Sequence, residues 1–283
     1  MKSSVENIDK IKDILYNDCF SKETLKDPYI EGLIAKLKQD LPHLEIVDKI
    51  DGLSTTIQRA FLNKLIGSFN NINYMEIGLY HGATLASAII NNHNNLNKIV
   101  GNDKWEWGDA NYEHFKSNVN GTLLKHYGQH HDFISAGLHK TENAFGEGYC
   151  LGETEIFTLD KKMVGPIKNF DITIVKGDTW KHVDTILSQW GEDKVDIYFY
   201  DGCHEFQSQV DAILHFEPCF AEEFILLVDD FKDEETRLGT FHGLKKIGYD
   251  VLFSEETVGW GPAPSSYDGW GGGWLIAYLM KRK

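Results

Sequence analysis

From residue 73 onward the chain alternates short apolar runs with stretches of helical periodicity, and no other feature limits its fold as strongly. Strands are predicted at 74–77, 98–101, 172–176, 195–200, 224–228, 251–253 and 274–279. Helices are predicted in most of the gaps, at 84–91, 182–190, 207–216 and 234–247. Strands joined by helical crossovers specify an α/β fold, here a Rossmann-like, doubly wound, seven-stranded, mostly parallel sheet. Such sheets bind ligands beyond the carboxyl ends of their strands.

Three regions stand apart from the alternation. The first 70 residues read as a helical extension: Ile8, Ile11, Ile14 and Leu15 recur at helical spacing, as do Ile30, Leu33, Ile34 and Leu37 before Pro42, and a third helix is predicted over 53–69. The expected division is therefore an extension over 1–70 and an α/β domain over 71–283. Residues 104–170 form an insertion after the second strand, rich in aromatic and histidine residues such as Trp105, Trp107, Tyr112, His114, His126 and Tyr127. It suits a lid over a substrate, a surface elaboration or an oligomer contact. Residues 260–274 hold the glycines and prolines of a long loop before the last strand, with the aromatics of 267–274, Tyr267, Trp270 and Trp274, facing either a bound acceptor or the loop itself.

Composition excludes several function classes. The formal net charge of −15 disfavours nucleic acid or an anionic membrane surface as the main partner. No run of about 18 apolar residues is present to span a membrane. The N-terminus mixes charged and apolar residues and lacks the apolar core of an export signal. The four cysteines, Cys19, Cys150, Cys203 and Cys219, form no CxxC pair, so a zinc ribbon or disulfide framework is not expected and a cytoplasmic setting is. Gln129, His130 and His131, near His126, are read as an exposed loop rather than a zinc site, because consecutive side chains diverge.

Three motifs carry chemistry. The first is Tyr74-Met-Glu-Ile-Gly-Leu-Tyr-His-Gly-Ala-Thr84, a strand end, a turn with Gly78 and Gly82, and a helix start. Glycine lets a ligand approach the backbone, and the helix start offers free N–H groups. The GxGxxG spacing of a dinucleotide site is absent. Glu76 suits a cationic or hydroxyl-bearing ligand instead, since a carboxylate would repel a pyrophosphate. The second motif places Asp103 at the end of the next strand, where an acid typically takes ribose hydroxyls. Asp178 ends a third strand, either beside a bound adenine with Trp180 as a stacking face or as the N-cap of the following helix. In the third motif, Asp201 follows one strand and Asp229 and Asp230 follow the next. Neighbouring strands would bring these carboxylates together, and they repel unless a cation sits among them; a hard divalent ion such as Mg²⁺ is the economical choice.

On these residues the chain resembles the class I S-adenosylmethionine-dependent methyltransferases, most closely the metal-dependent small-molecule O-methyltransferases of the catechol and macrolide-sugar types. The pattern of an acid followed by x-Gly-x-Tyr-x-Gly-x-Ser is matched by Glu76, Gly78, Tyr80, Gly82 and Thr84, with Thr in place of Ser. The resemblance implies that these residues and Asp103 bind S-adenosyl-L-methionine, with Asp178 grouped with them from its strand-end position, and that Asp201, Asp229 and Asp230 hold Mg²⁺ or another divalent cation. His204 stands where the catechol enzyme carries its lysine base, which implies a catalytic role for His204 alongside Asp201. The expected partner is a small-molecule hydroxyl acceptor, with no nucleic acid and no membrane, and a homo-oligomer through the N-terminal helices is left open. The alternatives are a metal-independent O- or N-methyltransferase, a metal-dependent nucleotide-sugar transferase, and a binding module without catalysis.

Overall fold

The strand β1 (Ile72–Ile77) is buried along its whole length because it lies at the centre of the sheet, parallel to β2 (Leu96–Asp103) on one side and β6 (Val195–Tyr200) on the other. A computed structural model describes residues 4–19, 27–105, 109–127, 138–140, 155–159, 171–258 and 271–283. Beyond β2 lies β5 (Asp171–Lys176), and beyond β6 lie β7 (Phe220–Val228), β9 (Leu275–Lys281) and β8 (Tyr249–Glu256). The strands β5, β2, β1, β6 and β7 are parallel, and β9 runs antiparallel between β7 and β8. All seven predicted strands form.

The sheet has nine strands, two more than predicted. The additional pair, β3 (Leu138–Lys140) and β4 (Glu155–Leu159), comes from the insertion and continues the sheet antiparallel from the free edge of β5. Three- and five-residue strands carry too little alternation to register in sequence.

Alternation along β1 assigns its side chains to two layers. Ile72 and Tyr74 join a core with Phe61, Phe115 and Trp274, while Met75 and Ile77 join one with Trp190, Phe216 and Leu244. On the first face pack α1 (Ser4–Lys12, continuing as a π-helical turn to Cys19), α4 (Thr56–Gly67), α5 (Ala83–Ile89) and α6 (Asp109–Tyr127). On the second lie α7 (Val183–Ser188), α8 (Phe206–Leu214) and α9 (Glu234–Lys246). Two further N-terminal helices, α2 (Asp27–Asp40) and α3 (Leu44–Val47), precede α4. The third predicted helix starts later than expected, at Thr56, because Thr55 and Gln58 form a reciprocal capping box that fixes the helix start there.

The N-terminal helices share the main core. Phe61 is fully buried and meets Trp274 edge-on at 6.3 Å, and Asn7 donates to the Tyr278 hydroxyl on β9 at 3.0 Å. Within the insertion, Tyr112, Phe115 and Val119 of α6 are likewise buried in this core, so this part of it is a wall of the domain rather than a surface elaboration. Phe61→Ala is expected to lower stability by about 3–5 kcal/mol, the usual cost of emptying a buried phenylalanine site. Urea unfolding monitored by tryptophan fluorescence would measure it, and a loss below about 1 kcal/mol would show that the N-terminal helices are not part of the cooperative core.

Candidate active site at the centre of the sheet

The chain runs outward from β1 through β2 to β5, then returns to the centre and runs the other way through β6 and β7. The reversal falls between β1 and β6, where the crossover connections leave on opposite sides and open a crevice at the strand ends. Here the two backbones nearly touch: Asp201 N–H donates to the Ile77 carbonyl at 2.8 Å. A Cβ on Gly78 would lie 1.9 Å from the Asp201 carbonyl oxygen, and φ of Gly78 is +92°. Only glycine fits there. A cavity of about 650 Å³ opens above this crossing, within the range of small-molecule sites.

Most of the predicted residues meet in this cavity. Gly78, Tyr80, Thr84, Asp103, Asp178, Asp201, His204, Asp229 and Asp230 all line it. Glu76 and Gly82 do not, and their roles differ from direct ligand contact. Glu76 is fully buried and accepts hydrogen bonds from the Tyr74 hydroxyl at 2.7 Å and from Thr84 Oγ1. It therefore supports Thr84 from behind the cavity wall. Burial pushes its carboxyl up to about 7, against the downward pull of these two hydroxyl donors. Gly82 starts α5 at φ +83° and lies against Phe115 and Val119, where a Cβ would come within 2.6 Å of Val119. It lets α5 and α6 close together.

Asp103 holds the glycine turn. Its Oδ2 accepts from the Leu79 and Tyr80 N–H groups at 2.8 and 2.7 Å, and its Oδ1 accepts from Trp105 N–H at 2.6 Å. Asp178 is the N-cap of the following 3₁₀ turn, its Oδ1 accepting from Trp180 N–H at 3.0 Å and Lys181 N–H at 3.3 Å, and it also lines the cavity. Trp180 lines the cavity beside it and is 37% exposed.

The three aspartates converge without closing on one another. Burial, then Asp229 and Asp230, push the Asp201 carboxyl well above the usual carboxylate range. Burial and Asp230 push Asp229 up to about 7, although it accepts the Asp230 N–H at 2.7 Å. Among the described residues, however, the three titratable side chains whose ligand atoms lie within 4.8 Å of one another are His204, Asp230 and Asp233. The predicted trio of Asp201, Asp229 and Asp230 is thus not assembled at coordinating separation. Asp230 takes a left-handed backbone conformation, φ 48°, and its Oδ2 lies 3.4 Å from His204 Nδ1. Its carboxylate is drawn toward His204. The oxygen-rich donor set suits a hard divalent cation, and the side chains would have to rotate inward to ligate one.

Several residues of the cavity carry no sequence signal of their own. Gly52, Leu53 and Ser54, from the loop before α4, form one wall, and Trp105 and Asn111 another. Arg59, buried on α4, shapes the first wall by donating to Ser54 Oγ at 3.0 Å and to the Val47 carbonyl at 2.9 Å. Asn102 is also buried and locks the ends of β2 and β5 together through the Val175 and Gly177 carbonyls at 2.8 and 3.0 Å. Trp107, Gln129, His130, His131, Cys150 and most of the loop 260–274, with Tyr267 and Trp270, lie outside the described residues, as does the side chain of His126.

No protein-family model and no curated protein matches the sequence. Among solved structures, the chain is similar to an O-methyltransferase from Bacillus cereus in complex with SAH, with a TM-score of 0.52 at 12% identity over 92% of this chain and 100% of that one. It is also similar to cofactor-bound Rv0187 from MTB, with a TM-score of 0.51 at 15% identity over 88% of this chain and 96% of that one. The fold is the Rossmann-like methyltransferase fold.

The Glu76 carboxyl titrates at about 7 in the folded chain against an ordinary value of 4.5. Between those values the folded state keeps a proton that the unfolded state loses, so stability falls as pH rises through this window and levels above it. Glu76→Gln is expected to reduce the slope of unfolding free energy against pH by about 1 kcal/mol per pH unit between pH 5 and 7. Urea titrations across that range in metal-free buffer would show it, and an unchanged slope would place the Glu76 proton elsewhere.

Proposed function

We propose that the protein is an S-adenosylmethionine-dependent O-methyltransferase acting on a hydroxyl of a small molecule or sugar with the help of a divalent cation. The observation that carries this reading is the meeting, in one cavity at the sheet's reversal point, of the Gly78 turn, Asp103 and Asp178 with Asp201, Asp229 and His204. The charge of the wall supports it. Asp103, Asp178, Asp201, Glu205, Asp229 and Asp230 line the cavity; among the described residues Lys104 is the one lysine or arginine that lines it with them, 3.8 Å from Asp178, and Lys232 acts on Asp229 from outside the lining. Such a wall attracts a sulfonium or a metal ion and repels a diphosphate, which weighs against a nucleotide-sugar transferase.

Bound S-adenosylmethionine would supply an electrophilic methyl group on a sulfonium. In this reading Gly78 and Tyr80 face its amino-acid end, Asp103 takes the ribose hydroxyls with acceptor capacity left over from the turn, and Asp178 and Trp180 flank the base. Asp201, Asp229 and Asp230 would hold the divalent cation, whose presence makes a hydroxyl easier to deprotonate. His204 Nε2 would accept the proton of an acceptor hydroxyl, and Asp230, beside Nδ1, would steady the resulting imidazolium. Alignment of donor and acceptor in a walled cavity supplies the rest of the acceleration.

A second, metal-independent reading rests on the spacing of the three aspartates, which is wider than coordination requires. Transfer of labelled methyl from S-adenosylmethionine to a panel of catechols, glycosides and hydroxylated polyketides, with and without chelator, separates the two. Asp201→Asn and Asp229→Asn are each expected to lower transfer by at least ~10²-fold while adenosylhomocysteine still binds, and His204→Gln by ~10²–10⁴-fold. Full transfer in excess chelator selects the metal-independent reading. Failure of the wild type to bind adenosylhomocysteine at all would remove both.

A further inference from the structure

His81, between Tyr80 and Gly82 in the glycine turn, lines the cavity yet is only 4% exposed. Its ring stacks on Tyr80 with centroids 3.8 Å apart. Nε2 lies 3.1 Å from Asn111 Oδ1 on α6, a bond that Nε2–H donates when the ring is neutral. Nδ1 makes no hydrogen bond among the described residues, although it is buried. A buried polar atom left in this way costs free energy unless something else satisfies it. Asp51 Oδ2 stands 3.4 Å from it, on a side chain 88% exposed at the edge of the loop that brings Gly52 and Ser54 to the cavity.

In the neutral ring, the arrangement is a pair of acceptors, one a lone pair and the other an anion, separated by little more than a hydrogen-bond length. A single group carrying several N–H donors and a positive charge can bridge both, whereas a hydroxyl satisfies only one and a carboxylate is repelled by Asp51. We infer that His81 Nδ1 and Asp51 form the seat for the α-ammonium group of the bound cofactor. This inference rests on the methyltransferase reading of the cavity, since the amino-acid end of S-adenosylmethionine is where that ligand carries an ammonium. It also gives the N-terminal extension a role in binding: Asp51 reaches the turn from a loop that Arg59 fixes in place, through Ser54 and Val47.

The test is calorimetric binding of two probes, adenosylhomocysteine and 5′-methylthioadenosine, to the full chain and to its Asp51→Asn and His81→Phe variants. The two probes share the nucleoside, and only the first carries the ammonium. Asp51→Asn is expected to weaken adenosylhomocysteine about tenfold and His81→Phe at least as much, with methylthioadenosine affinity unchanged in both. Unchanged methylthioadenosine binding also reports that each variant is folded. Equal weakening of both probes, or no weakening of adenosylhomocysteine by Asp51→Asn, would overturn the seat while leaving the methyltransferase reading intact. Failure of the wild type to bind either probe would overturn both.

Discussion

The close crossing of β1 and β6 organises everything above it. At that point the Asp201 amide bonds the Ile77 carbonyl, and Gly78 passes so near the Asp201 backbone that no side chain could stand there. The crossing places two strand ends side by side, one leading into the glycine turn that Asp103 holds and the other into an acidic loop. A ligand held by the first is therefore presented to the second. Chemistry at this location depends on backbone geometry before it depends on any side chain, because the side chains are aimed by the strands that end here.

The electrostatic character of the cavity follows from the same placement. Four strand ends or the turns after them bring acids to one crevice, with Glu76 of β1 behind its wall, and burial raises the Glu76, Asp201 and Asp229 carboxyls. Structural carboxylates are distinguished from available ones by their partners. Asp103 accepts three backbone N–H groups and Glu76 two hydroxyls; Asp229 accepts the Asp230 amide and is held down by the Trp274 side chain, and Asp201 is raised by burial and its acidic neighbours. The first pair builds the turn. The second pair is raised by burial and by the acids beside it.

The architecture was legible in sequence wherever the apolar pattern was long. All seven core strands and the helices on the second face follow from it, since Met75, Ile77, Tyr198 and Leu226 sit in runs too apolar to be anything but central strands. The short β3 and β4 were not legible, because pairing with β5 rather than internal pattern defines them. Within the site, strand-end acids and glycines were visible because their spacing is local. The wall made by Gly52, Ser54 and Asn111 was invisible because those residues arrive from distant segments, and no spacing rule links residue 52 to residue 81. Glu76 was read as a ligand contact from its position alone. Its hydroxyl partners, one of them eight residues away on α5, turn it inward, and only the packed structure reveals that.

The most direct measurement is a crystal structure of the protein with adenosylhomocysteine and Mg²⁺. The account predicts the nucleoside between Asp103 and Trp180, the amino-acid end against the Gly78 turn, and a metal ion drawing Asp201, Asp229 and Asp230 inward. A ligand bound anywhere else, or the cavity left empty by a saturating ligand, would contradict it.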